Sequence, residues 1–270
     1  MSTPARQKTQ GVLADVERIF ALQRAHQWEM KATTAEQRKE KLRKLKSAVE
    51  AHGDDILAAV KQDTRKPENE IRVTEFLNVI ANIDRNISNL DEWMKPIEVV
   101  PSLNKSDRAK ILYEARGVCL ILGPWNFPLG LVIGPLAAAI AAGNCCIVKL
   151  TDLCPATAAV AARIIKEAFD EREVALFEGG VDVATALLEL PFNHIFFTGS
   201  TRVGKLVMAA AAKHLATVTW SWEANLLSSS MKTQICGRSP VIWRLPSNST
   251  EGRPASAPTM CSSRSSRRMA

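Results

Sequence analysis

The sequence predicts an α/β fold in which a helical N-terminal lead precedes a mostly parallel sheet of about five strands. Three observations predict it. Apolar residues recur at steps of three and four through the first hundred positions, the period of helices with one buried face. From Gly117 the pattern becomes short apolar runs separated by amphipathic stretches, the alternation that builds a parallel sheet through right-handed crossovers. After Thr219 neither period continues. Residues 220–270 hold twelve serines, six arginines, three tryptophans and four prolines, and read as an irregular, disordered C-terminal tail.

In the lead, Thr34-Ala-Glu-Gln37 has the form of a capping box, in which a hydroxyl and a side-chain amide satisfy free N–H groups at a helix start. Leu42, Leu45 and Val49 follow at helical spacing, and the cations of Lys39–Lys46 mark the solvated face. Phe76, Ile80, Ile83, Ile87 and Leu90 form a second stripe that ends before Pro96. The expected strands are Val118–Leu122, Cys145–Val148, Val174–Phe177, His194–Phe197 and Ala216–Val218. Ale helical stretch Ala156–Phe169 lies between two of them, with Val160, Ile164, Ile165 and Ala168 on one side. The expected divisions are a lead over 1–116, a sheet domain over 117–219 and the tail over 220–270.

Composition narrows the function. The 23% of charged residues is ordinary for a globular protein. The tail carries six arginines and Lys232 against Glu223 and Glu251, which is +5 of the net +7. The body is therefore near neutral and the tail lacks lysine–aromatic patterning, so nucleic acid is not expected as a partner. Six cysteines show neither metal-ligand spacing nor the density of a disulfide framework, and no metal is expected. The segment MSTPARQKTQ lacks the apolar centre of a signal peptide, which points to the cytoplasm. Phe127–Val148 is uncharged over 22 residues, but Pro128, Gly130, Gly134, Pro135, Gly143 and Asn144 divide it into a turn, a helix and a strand. No membrane span is expected.

In open parallel sheets ligands sit beyond the carboxyl ends of the strands, and three loops there carry unusual chemistry. Gly123-Pro-Trp-Asn-Phe-Pro128 is a rigid turn that holds Asn126, whose amide can donate to an anion. Lys149-Leu-Thr-Asp152 sets a cation and a carboxylate three residues apart, a spacing suited to gripping ribose hydroxyls. Phe197-Thr-Gly-Ser-Thr-Arg-Val-Gly204 opens a helix, and Gly199 and Ser200 place free N–H groups at its positive end, a seat for pyrophosphate.

Taken together, GPWNFP, PLAAAIAAGN, KLTD and FTGSTRVG resemble the NAD(P)-dependent aldehyde dehydrogenase superfamily, in particular its class 3-like branch. The resemblance runs from about residue 12 to Thr219. It implies a Rossmann-like cofactor domain and a parental activity that oxidises aldehydes to carboxylates with NAD or NADP. It also implies roles. Asn126 donates to the oxyanion of a thiohemiacetal, and Trp125 lines the dinucleotide cleft. Gly199 and Ser200 meet the pyrophosphate, Gly204 is a further cofactor-binding residue, and Lys149 and Asp152 hold the adenosine ribose. Where the family has K-P-S-E this chain has KLTD, so Asp152 is one methylene shorter. Residues Ile97–Arg116 resemble the family's oligomerisation hairpin, which implies a homo-oligomer.

Two groups that the chemistry needs are absent: the cysteine of a G-Q-x-C motif and the glutamate of L-E-L-G-G. Cys119, Cys145, Cys146 and Cys154 fall in or beside strands, where inert buried thiols are expected. The genetic code accounts for the loss. Thr219–Leu226 can be written ACC TGG AGC TGG GAG GCA AAC CTC, and one C restored after ACC turns it into T-L-E-L-G-G-K-P. Trp222 before Glu223 forces a glycine in that frame, and Glu223-Ala224 allows only glycine or serine. The same frame turns Ser249–Ala255 into N-G-G-Q-T-C, which places the glutamate at Ser221 and the cysteine at Ala255. The expectation is thus a frameshifted, truncated and inactive form of an aldehyde dehydrogenase. The alternative is a non-catalytic dinucleotide-binding or interaction module. Loss of the second half should also leave apolar side chains of Phe127–Ala142 facing water.

Overall fold

The computed structural model describes residues 4–99 and 109–222. Its lead consists of α1 (Pro4–Lys31), α2 (Ala35–Ala51), α3 (Gly53–Thr64), the short α4 (Glu68–Ile71) and α5 (Asn78–Trp93). Between α4 and α5 the helix widens into a π-helical segment, Arg72–Leu77. The capping box starts α2: Gln37 N donates to Thr34 Oγ1 at 3.3 Å and Thr34 N donates to Gln37 Oε1 at 2.8 Å. Leu42, Leu45, Val49, Ile83 and Leu90 are buried, and Phe76, Ile80 and Ile87 pack against them, so both stripes face the core. A two-stranded antiparallel ribbon follows, β1 (Ile97–Val99) against β2 (Ala109–Ile111), with Glu98 opposite Lys110.

From Val118 the chain alternates strictly. The strands are β3 (Val118–Leu122), β4 (Cys145–Lys149), β5 (Val174–Phe177), β6 (His194–Gly199) and β7 (Thr217–Trp222). The intervening helices are α6 (Gly130–Ala141), α7 (Pro155–Ala168), α8 (Val181–Leu188) and α9 (Thr201–Lys213). All five strands are parallel, in the order β5-β4-β3-β6-β7. Every residue of β3 and β4 is buried, as strands covered on both faces require. The chain winds outward from β3 to β5, then crosses back to start β6 on the other side of β3. That reversal makes a crevice at the carboxyl ends of β3 and β6, where a doubly wound sheet takes its ligand.

One continuous apolar cluster joins the lead to the sheet, running from Val16 and Leu42 through Leu120 and Ile147 to Ala211. Two features depart from expectation. Helix α6 is covered rather than exposed: Leu129, Val132, Ile133 and Leu136 are fully buried, because α5 packs over it from the lead. Strand β7 continues past Thr219, with Trp220 opposite Phe197, Ser221 opposite Thr198 and Trp222 opposite Gly199. Ladder hydrogen bonds use only the backbone, so the strand can continue through a change in sequence character. The rest of the expected tail, from Glu223 on, lies outside the described residues.

Candidate functional site

Leu122 at the end of β3 is opposite Lys149 of β4 on one side and Phe197 of β6 on the other. The three loops expected to carry chemistry therefore leave the sheet side by side at one edge of its crevice.

The turn after β3 is held from below by the lead. Lys66 Nζ donates to the Asn126 carbonyl at 2.6 Å and lies 3.5 Å from the centre of the Phe127 ring. Glu75, in the π-helical segment, is completely buried, and its Oε2 accepts from Leu129 N at 3.2 Å and Gly130 N at 2.6 Å. It thus caps the positive end of α6 from another element, in a helix whose own N-cap residue, Leu129, supplies no side-chain bond. Burial pushes the Glu75 carboxyl above its ordinary range, opposed by the Gly130 N–H, the Lys66 charge and the Leu129 N–H. Above this base, Phe127 N donates to Asn126 Oδ1 at 2.9 Å, which fixes the amide. Its Nδ2 makes no hydrogen bond among the described residues and is left as a donor. Trp125 is 55% exposed.

Lys149 ends β4 and is only 8% exposed, so burial lowers its pKa while Asp152 and Asp182 oppose the shift. At the end of β6, Gly199 stands where a Cβ would come within 2.6 Å of the Phe197 ring. Ser200 is the N-cap of α9 in an extended conformation, and its Oγ accepts from Val203 N at 3.5 Å. The N–H groups of Thr201 and Arg202 have no acceptor within the helix, which leaves two donors at a positive helix end. Gly204 follows in the first turn of α9. Its N–H donates to the Ser200 carbonyl at 2.9 Å, and a Cβ on it would come within 2.6 Å of the Trp220 ring. Close packing of helix on strand accounts for this glycine.

Cys119, Cys145, Cys146 and Cys154 are free and buried. Burial pushes the Cys145 thiol up to about 12 and Cys154 to about 11, and raises Cys146 as well. Those three hold their protons at neutral pH and are poor nucleophiles. Cys236 and Cys261 lie outside the described residues. Sequence reasoning missed Lys66, Glu75 and Asp182. Glu75 had a signal: it interrupts an apolar row at steps of four, Ile71, Val79 and Ile83, all of them fully buried. Asp182 follows the Gly179-Gly180 pair after β5.

Residues 3–225 match the model of the aldehyde dehydrogenase family. The chain belongs to that family. AldX of Bacillus subtilis (strain 168) is 52% identical over 210 residues, covering 78% of this chain and 47% of AldX. Aldehyde dehydrogenase family 3 member A2 of Macaca fascicularis is 42% identical over 184 residues, 67% of this chain and 38% of that protein. Among solved structures, the substrate-bound state of Staphylococcus aureus AldH superimposes with a TM-score of 0.74 at 36% identity, covering 77% of this chain and 45% of that one. The similarity to family 3 members agrees with the class 3-like motifs. This aldehyde dehydrogenase chain spans about half the length, or less, of the curated relatives it matches. Among its described residues no helix is long and apolar enough to cross a membrane.

Proposed function

We propose that this chain is the dinucleotide-binding portion of an NAD(P)-dependent aldehyde dehydrogenase and that, as written, it binds cofactor without turning over aldehyde. The observation that carries the proposal is the convergence of the Asn126, Lys149 and Ser200 loops at the switch point between β3 and β6. The residues fit a dinucleotide. Thr201 and Arg202 offer open N–H donors to a pyrophosphate, Gly199 presents no side chain in its way, and Lys149 offers a cation beside the ribose acid Asp152. A Mycobacterium tuberculosis aldehyde dehydrogenase solved with NAD+ shares the fold at a TM-score of 0.70 and 22% identity, which supports NAD or NADP as the ligand class.

When bound, the cofactor would supply the hydride acceptor for aldehyde oxidation. The chain's own residues prepare that step. The α9 N-terminus would hold the pyrophosphate, Lys149 and Asp152 would hold the ribose, Trp125 would line the cleft, and Asn126 Nδ2 would donate to a developing oxyanion. The base and nucleophile are missing. Ser221 stands where the restored frame has the glutamate, and a hydroxyl of ordinary acidity does not deprotonate water. Ala255 stands where that frame has the cysteine. The one-base frame change supports loss of both groups together. A homo-oligomer built through the β1–β2 ribbon and a cytoplasmic location complete the proposal.

The test is direct. Calorimetry on the purified chain should detect NAD or NADP binding, which Gly199→Val abolishes. The same protein should form no NAD(P)H from aldehydes, since loss of nucleophile and base costs many powers of ten in rate. Aldehyde-dependent NAD(P)H formation above a heat-killed control would refute the inactive assignment. The encoding DNA at the Thr219 codon checks the frame: one restored base should open a long frame containing LELGG and GQTC.

A further inference from the structure

Resting on the proposed nucleotide site, we infer that Asp182 acts with Asp152 as a second ribose acid, and that the pair makes this chain select NAD over NADP. Nothing in the ribose motif itself points to Asp182, which lies thirty residues further along the sequence. The fold brings it there. Asp152 follows β4 and Asp182 opens α8 after β5, and β4 and β5 are neighbours whose ends are in register at Lys149 and Phe177. The two carboxylates converge on Gly180: a Cβ built on it would lie 3.3 Å from Asp152 Oδ2 and 3.3 Å from Asp182 Oδ1. Lys149, the last residue of β4, is more than nine-tenths buried. Its ammonium makes no hydrogen bond or ion pair among the described residues, although both carboxylates act on it electrostatically. A buried ammonium without a direct partner carries a desolvation cost that a ligand relieves.

The chemistry of the cluster defines that ligand. A ribose carries two vicinal hydroxyls, each able to donate to a carboxylate and accept from an ammonium. Two carboxylates and one ammonium supply those partners. Asp182 also offsets the short reach of Asp152, which replaces the family's glutamate. In NADP the 2′-hydroxyl bears a phosphate of nearly two negative charges. Two carboxylates against one ammonium leave the cluster net negative, so the phosphate is repelled as well as deprived of its hydroxyl contact. Both acids are exposed, which makes them tolerant of substitution.

The experiment is calorimetric titration of NAD and NADP into the parent chain, Asp182→Asn and Asp152→Asn, at low and high salt. Asparagine keeps the size and removes the charge, so each fold is retained, with circular dichroism as the check. The parent should bind NAD more tightly, and Asp182→Asn should shrink the NAD/NADP affinity ratio by about tenfold through both weaker NAD and stronger NADP binding. The parent's ratio should also fall as salt rises, as a repulsion between charges does. An unchanged ratio in Asp182→Asn overturns the inference while leaving the nucleotide site standing. Binding of neither nucleotide by the parent overturns the proposed function, and this inference with it.

Discussion

Single side chains set two measurable properties of this chain. His194, at the start of β6, is buried beside Thr217, whose Oγ1 lies 2.7 Å from Nδ1. Burial, with Arg116 adding to it and Thr217 opposing, lowers its pKa to about 4. The unfolded chain holds a histidine near 6.5, so below that value it binds more protons than the folded state. Stability should be unaffected by this group above pH 6.5 and should fall by about 3 kcal/mol as pH drops towards 4. Urea unfolding across that window should show the slope, and His194→Gln should flatten it. Glu75 is the second case. Glu75→Ala leaves the Leu129 and Gly130 N–H groups buried without their acceptor, a loss of about 2 kcal/mol in the same assay. Asn126 should also lose its fixed position, seen as altered exchange of its side-chain amide by NMR.

At the level of elements, the lead caps the sheet's helices in trans. Helix α7 begins after Cys154, which supplies no side-chain cap, and Asp63 of α3 takes over. Asp63 accepts from Ala156 N at 3.3 Å, from Thr157 N at 2.7 Å and from Thr157 Oγ1 at 2.7 Å. Asp63→Ala should therefore cost about 1–2 kcal/mol, while Asp63→Asn keeps part of the bond and should cost less; thermal unfolding separates them. These caps explain what the sequence disclosed and what it hid. Asn126, Lys149 and Ser200 were legible because each lies within a few residues of its strand's end, and both stripes of the lead were legible as local periods. Glu75 and Asp63 act on residues 54 to 94 positions away, and no local period carries such a pairing. Strand β7 was read short for the opposite reason: Trp220 and Ser221 look foreign to the body, yet a ladder asks only for backbone.

Across the whole molecule, the exposed apolar surface lies elsewhere than expected. Helix α6 is buried, whereas α9 shows Val203 and Leu206 at helical spacing, Leu206 being 66% exposed. Beside α9 runs β7, whose outer edge has no strand partner among the described residues. An open edge next to exposed apolar side chains favours association between chains. Light scattering of the purified protein should grow with concentration, and Leu206→Lys should reduce that growth without moving the unfolding midpoint. The course of β7 also bears on what a cell can notice about this protein. Quality control responds to open backbone and exposed grease, and it has no means of testing for a missing catalytic group. The three residues that follow the proposed frame change still alternate apolar, polar, apolar, as Leu-Glu-Leu does, and they stay paired to β6 through Trp222. On that proposal the frame change leaves this part of the sheet in register, and the chain's lifetime would be set by its folding rather than by its activity.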